Sequence, residues 1–486
     1  MSRLSFPPHE AEVAAAAVNA SVDASVTGVY QPPPSAAERS PVVGTPPLGP
    51  RRLGKLGNAL RQLRFVLDPI GTVTRRFARY GDAYRVPQEG GDLYVFRHPD
   101  QIRDVLVSQA GSFDKQHGAF RRLSLVLGDA LLTSDGERWR RQRRLVQPAF
   151  ARSRLAEYSA VMVDEAAQAV KRLTSSPGEV DLSRELNALT LRVVTRTLFG
   201  HPAEDTTRTG SAMLELNRWF GTPSPLLRFM PGARRRFETA QHGLHQEIEN
   251  LIAGRRHTLT PESAPADLLS ALMLARDEQG IPLSPEELRD QLLTLYVAGH
   301  ETTSHALTWT FYLLSQHPRV LERLRAEYEA VLPDRLPTFD DLSRLTYTEQ
   351  VLKEALRLYP PAYVIPRHAH SETSVAGYRI PKGSEVLVWS YFTHRDARFY
   401  PEPEQFRPER FRPEEEQTRP KYAYLPFGAG QRACIGQQFA MLEAQLILAA
   451  WLPQLHFELA SRRPPRLRTG VTLSPRGGLP MRVRAR

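Results

Sequence analysis

Residues 427–451 read FGAGQRACIGQQFAMLEAQLILAAW and hold the single cysteine of the chain, Cys434. A glycine-rich turn runs into an apolar helical pattern that starts at about Gln437. The thiol therefore stands just before a helix, where free N–H groups and the positive end of the dipole favour a thiolate. Gly428, Gly430 and Gly436 let the backbone turn tightly and approach a flat group closely. One cysteine excludes an intramolecular disulfide and any zinc site that needs two or more cysteines. Taken alone, such a cysteine is more often an inert buried side chain than a reactive one.

Upstream, the pattern SPEE begins the clearest single element. Ser284 caps, Pro285 fits the first helical position and Glu287 completes a capping box. No further proline follows until Pro318, so the predicted helix covers 285–317, about 33 residues or about 50 Å at the standard rise. A helix of that length crosses the whole molecule. Its middle, AGHETT at 298–303, places a glycine and two hydroxyl residues where propensity prefers Ala or Leu. Elsewhere helix-period patterns dominate, with β-like pieces at 84–97 and around 374–389. The expected fold class is mainly α with a small β region.

The whole chain has 486 residues, 41% hydrophobic and 24% charged, which excludes collagen-like and wholly disordered chains. Length alone permits one large domain or two to three smaller ones. The net charge of +11 leaves open an acidic protein partner, an acidic membrane or nucleic acid, but no nucleic-acid motif accompanies it. No apolar run approaches the ~20 residues that cross a bilayer, so no membrane anchor is expected. Residues 1–45 are rich in Pro and Ala and read as a flexible leader; they carry acids that a transit peptide avoids. Residues 46–486 are expected to form a single domain.

In the cysteine segment, Phe427, Gly430, Arg432, Cys434 and Gly436 follow the order Phe, two residues, Gly, one, Arg, one, Cys, one, Gly. In this the chain resembles the cytochrome P-450 family of haem-thiolate monooxygenases. The resemblance implies a cytochrome P-450 fold with haem b between the long helix and the cysteine loop. It implies Cys434 as the axial ligand of the haem iron, Phe427 packed beside the ligand loop, and Arg432 on a haem propionate. Trp139 and Arg143 in ERWRRQRR, and Arg367 after PPAYVIP, resemble further propionate donors. KEALR supplies Glu354 and Arg357 and PERF supplies Arg410, a buried structural network in that family. Along the long helix the resemblance sets Ala298 and Gly299 against the haem, and makes Glu301 and Thr302 the catalytic acid and alcohol pair.

The implied reaction inserts one atom of O2 into a C–H bond of a lipophilic substrate, with fatty acid, terpenoid, steroid and polyketide all open. Substrate-facing stretches by family position are 113–120, 219–230, 363–365 and the segment around Thr472 and Leu473. No flavin or iron–sulfur segment is fused, so electrons are expected from a ferredoxin or flavodoxin with its NAD(P)H reductase, in a cytoplasmic monomer. Seven arginines against three acids between 121 and 144 point to a basic docking face, with Arg140, Arg141 and Arg144 its candidates. A peroxide-fed haem-thiolate enzyme and a non-catalytic haem sensor are the alternatives; the intact Glu301 and Thr302 weigh against both.

Overall fold

A computed structural model of the chain describes residues 44–88, 90–175, 178–200, 212, 215–216, 219, 231–257, 259–260, 265, 267–461 and 463–486. The leader, apart from its last two residues, lies outside them. The central helix runs Pro285–Gln316. The Ser284 hydroxyl accepts from the Glu287 N–H at 3.1 Å, and the Glu287 carboxylate accepts from the Ser284 N–H at 3.0 Å. His317 caps its end and Pro318 opens the next helix, Pro318–Val331. Nineteen of its residues are buried on all sides of the helix, so it is a core element rather than a surface helix with one apolar stripe.

Its principal neighbour is the helix Leu182–Phe199. A Cβ added to Gly299 would stand 3.2 Å from the Val194 side chain, so glycine here permits close helix approach. The helix Gln437–Trp451 packs against Arg152–Ser175, where the Trp451 indole donates to the Ala166 carbonyl at 3.1 Å. These helices share one large apolar core that includes Leu186, Leu292, Phe311, Leu446 and Trp451.

The strands are β1 (Ala83–Val86), β2 (Leu93–Phe96), β3 (Phe113–Asp114), β4 (Gly178–Asp181), β5 (Ile365–Ala369), β6 (Thr373–Val375), β7 (Tyr378–Ile380), β8 (Glu385–Val388), β9 (Leu455–Leu459), β10 (Leu467–Thr469), β11 (Leu473–Pro475) and β12 (Pro480–Ala485). The main sheet has the order β1-β2-β8-β5-β3, and β2 and β8 run parallel. Both predicted β regions fall in or beside it. Strands of two to six residues elsewhere are too short to show a periodicity.

Glu354 and Arg357 form a bidentate pair at 2.7 and 2.9 Å, and Arg410 lies 3.3 Å from the same carboxylate, all three essentially without exposure. The remaining Arg357 donors reach the carbonyls of His394, Pro403 and Gln405. His394 in turn accepts from the Leu425 N–H at 3.0 Å. Burial, with the Arg357 and Arg395 charges, pushes this imidazole down to about 3, which keeps it neutral and able to accept. The network thus fixes the chain two residues before Phe427.

Candidate functional site

From Phe427 the chain turns through Gly428 and Gly430, both at positive φ, and the Phe427 carbonyl accepts from the Cys434 N–H at 2.9 Å. A Cβ on Gly430 would come within 2.2 Å of the Leu106 carbonyl oxygen, so only glycine fits there. Gly436 ends the loop, and the helix Gln437–Trp451 begins behind the thiol as predicted. The thiol is exposed. Burial of its surroundings nevertheless pushes its pKa up, and the Gly436 N–H and the Arg143 guanidinium only partly oppose this. The Gly436 N–H and the Arg143 guanidinium both favour the thiolate, as expected of a thiol placed just before a helix.

The helix Gly136–Val146 brings Trp139 and Arg143 to the same loop. Arg143 donates to the Ala433 carbonyl at 3.0 Å. Arg432 stacks over the Trp139 ring at 3.9 Å and donates to the Ser134 carbonyl and the Asp135 carboxylate at 2.9 and 2.8 Å. Arg367, on β5, is 7% exposed, and among the described residues its side chain donates only to the adjacent Pro366 carbonyl. Burial and the Arg432 charge push Arg367 down to about 10, and burial, with Arg140 and Arg143 adding, does the same to Arg432. The sequence reading missed Lys115, whose buried ammonium lies 3.8 Å from the Phe120 ring centre. Burial, Arg367 and Arg432 depress it strongly, while Asp135 alone opposes. Three cations thus crowd around one carboxylate.

On the central helix, Ala298 is exposed and Thr302 half-buried, one turn apart, although most of the helix is buried. The helix stays continuous through AGHETT, because the Thr302 and Thr303 hydroxyls donate to the Ala298 and Gly299 carbonyls at 2.8 and 3.1 Å without opening the ladder. Glu301 is buried and accepts from the Thr472 hydroxyl at 2.8 Å. A second buried acid, Glu443, also escaped the sequence reading: burial raises its pKa well above the carboxylate range, and only the Thr303 hydroxyl opposes this among the described residues.

The family model for cytochrome P450 matches residues 47–480. The chain belongs to the cytochrome P450 family. It is 36% identical to cyclooctatin synthase of Streptomyces melanosporofaciens over 83% of this chain and 88% of that protein. Cyclooctat-9-en-7-ol 5-monooxygenase of the same organism is 36% identical over 76% of this chain and 81% of its own. Pentalenene oxygenase of Streptomyces avermitilis is 34% identical over 85% and 91%. As a P450 the chain is a haem-thiolate monooxygenase that inserts oxygen into a lipophilic substrate, working with redox partners. Among the described residues, no helix is long and apolar enough to cross a membrane.

The residues of this P450 fit a haem. Lys115, Arg367 and Arg432 have Asp135 as their shared counter-charge, so two further carboxylates would offset their mutual repulsion and raise all three back toward their ordinary range. Tyr363 and Leu473 are buried in a packed cluster with Phe77 and Trp389. Phe113 and Phe120 are also buried, and Thr472 is engaged with Glu301. Of the stretch 219–230, Trp219 stacks on Phe237 and the rest lies outside the described residues. Arg141 is not free for docking, since it bonds Asp277, Glu287 and the Ile281 and Pro282 carbonyls. Arg140 and Arg144 pair with Glu137 and Glu278 but remain more than half exposed, at 54% and 60%.

Proposed function

We propose that this P450 hydroxylates a terpenoid, and that it holds haem b through Cys434. The substrate class is supported by the relatives named for cyclooctatin, cyclooctat-9-en-7-ol and pentalenene. The observation that carries the site is the set of cations at Lys115, Arg367 and Arg432 with too little counter-charge, beside the loop of an accessible thiol. Arg143, Trp139 and these cations would hold the propionates, with Gly430, Gly436 and Phe427 shaping the loop around the ligand Cys434. When bound, haem supplies the oxygen activation that no side chain can provide.

The protein supplies position and protons. Thr302 has its own proton committed to Ala298, so its oxygen is left to accept from a proton-carrying water above the exposed Ala298. Glu301, next along the helix, is the buried acid that replenishes that water. Ala298 keeps this face of the helix free of bulk, and Gly299, packed against Val194, holds the helix in place behind it. Electrons come from a ferredoxin or flavodoxin with its NAD(P)H reductase, and the single domain 46–486 works as a cytoplasmic monomer that uses no nucleic acid.

Spectral titration with terpenoids and fatty acids, followed by turnover under labelled dioxygen, tests this reading. A terpenoid alcohol with one labelled oxygen is expected. Binding and turnover confined to fatty acids would overturn the substrate class, and a reduced carbon monoxide complex without thiolate character would overturn Cys434.

A further inference from the structure

Glu301 does not stand alone in the core. The Thr472 hydroxyl, between β10 and β11, lies 2.8 Å from a Glu301 oxygen and 3.1 Å from Nδ1 of His305, one helical turn beyond Glu301. All three side chains are buried, at 6%, 7% and 9% exposure. A hydroxyl has one proton to give. If Thr472 donates to the carboxylate, it must accept from His305, which fixes the imidazole as the Nδ1–H form and leaves Nε2 as an open acceptor. Burial opposes protonation of His305 and pushes it down to about 4, against the pull of Glu301, while Arg468 and His300 push the same way as burial. The ring is therefore neutral and its hydrogen bonds run in one direction, toward Glu301.

We propose that His305 and Thr472 form a proton-input branch that reloads the Glu301 carboxylate. This rests on the reading of Glu301 and Thr302 as the proton-handling pair. One proton from water arrives at Nε2 of His305, the Nδ1 proton passes to Thr472 Oγ1, and the original Thr472 proton passes to Glu301. Neither His305 nor Thr472 gains or loses net charge. The imidazole ends with its proton on Nε2; loss of that proton to water with uptake of another at Nδ1 when the ring swings out, followed by rotation of the hydroxyl, restores the starting arrangement. His305 and Thr472 act through Glu301 and are positioning residues.

Two measurements on the haem-loaded enzyme test the branch. In the diamagnetic reduced carbon monoxide complex, nitrogen-15 shifts of His305 should show a neutral ring protonated at Nδ1. A ring protonated at Nε2, or a charged ring at neutral pH, overturns the proposal whatever the turnover. In the second, peroxide released per electron is measured with dioxygen and pentalenene as the probe. Thr472→Val should raise the peroxide share at least about twofold and slow product formation about tenfold, while Thr472→Ser restores both. Unchanged coupling in Thr472→Val, with Glu301→Gln uncoupled, rejects the branch alone. Unchanged coupling in Glu301→Gln rejects the underlying reading of the acid instead.

Discussion

Arg143 donates to the carbonyl of Ala433 at 3.0 Å, so the helix that carries Trp139 is tied to the residue immediately before Cys434. The contact joins residues 290 positions apart in sequence. Arg143→Ala removes this bond and a cation beside the thiol. A hydrogen bond from a charged group contributes about 1.5–3 kcal/mol, so haem should be lost about tenfold or more faster. Transfer of haem to apomyoglobin, followed by absorbance, measures that rate; a wild-type rate would remove Arg143 from the cofactor site.

Cys434→His should retain some haem but lose the thiolate signature of the reduced carbon monoxide complex. No other sulfur ligand of that type exists in the chain. A thiolate-type spectrum in the variant would show that the ligand has been misassigned.

Thr302→Ala should bind substrate as the wild type does while diverting electrons to peroxide. The hydroxyl that accepts from the proton-carrying water is gone, and acid–base assistance of this kind is worth about 10²-fold or more. Product per electron consumed is the quantity to follow, and a value equal to that of the wild type contradicts the assignment.

The neutral state of His394 makes a pH prediction. Its folded pKa is depressed to about 3 by burial and the Arg357 and Arg395 charges. The unfolded chain, near 6.5, then binds more protons between about pH 3 and 6.5, so stability is full above that window and falls as pH drops through it. The slope is at most about 1.4 kcal/mol per pH unit for one such group. His305, depressed to about 4, adds over a narrower window. His394→Asn, which keeps an acceptor toward Leu425, should show a shallower acid dependence in denaturant titrations between pH 5 and 7.

Arg140→Glu with Arg144→Glu should slow reduction by an acidic ferredoxin, with the deficit shrinking as salt rises. Both side chains are exposed, so their effect lies mainly in association rate and is screened over about 8–10 Å. Stopped-flow reduction at low salt is the check; equal rates would leave these arginines as solubilising charges. Arg141 is omitted because its four contacts serve the fold.

The long helix was legible because it is written locally, as a capping box and a run without proline, whereas the cysteine loop and the buried Glu354, Arg357 and Arg410 network were legible only through the family resemblance of their motifs, since an i,i+3 pair taken alone reads as a surface pair. Lys115 and Glu443 were not. Their meaning depends on burial among groups far away in sequence, and nothing in FDKQHGAF or AMLEAQ announces it. Arg141 failed as a docking candidate because Asp277 and Glu287, which occupy it, lie more than a hundred residues on.

The hairpin that carries Thr472 is held by main-chain atoms. The Leu473 N–H donates to Pro361, the Leu473 carbonyl accepts from the Trp309 indole at 3.1 Å, and the Gly470 carbonyl accepts from the Tyr363 hydroxyl at 2.9 Å. For anyone building chimeras from related sequences, the C-terminal hairpin is then a transplantable cassette whose docking depends on Pro361, Tyr363 and Trp309 in the recipient. Crossovers that keep those three together preserve the latch even when the hairpin side chains change, whereas a junction that replaces Trp309 or Tyr363 detaches it regardless of the donor.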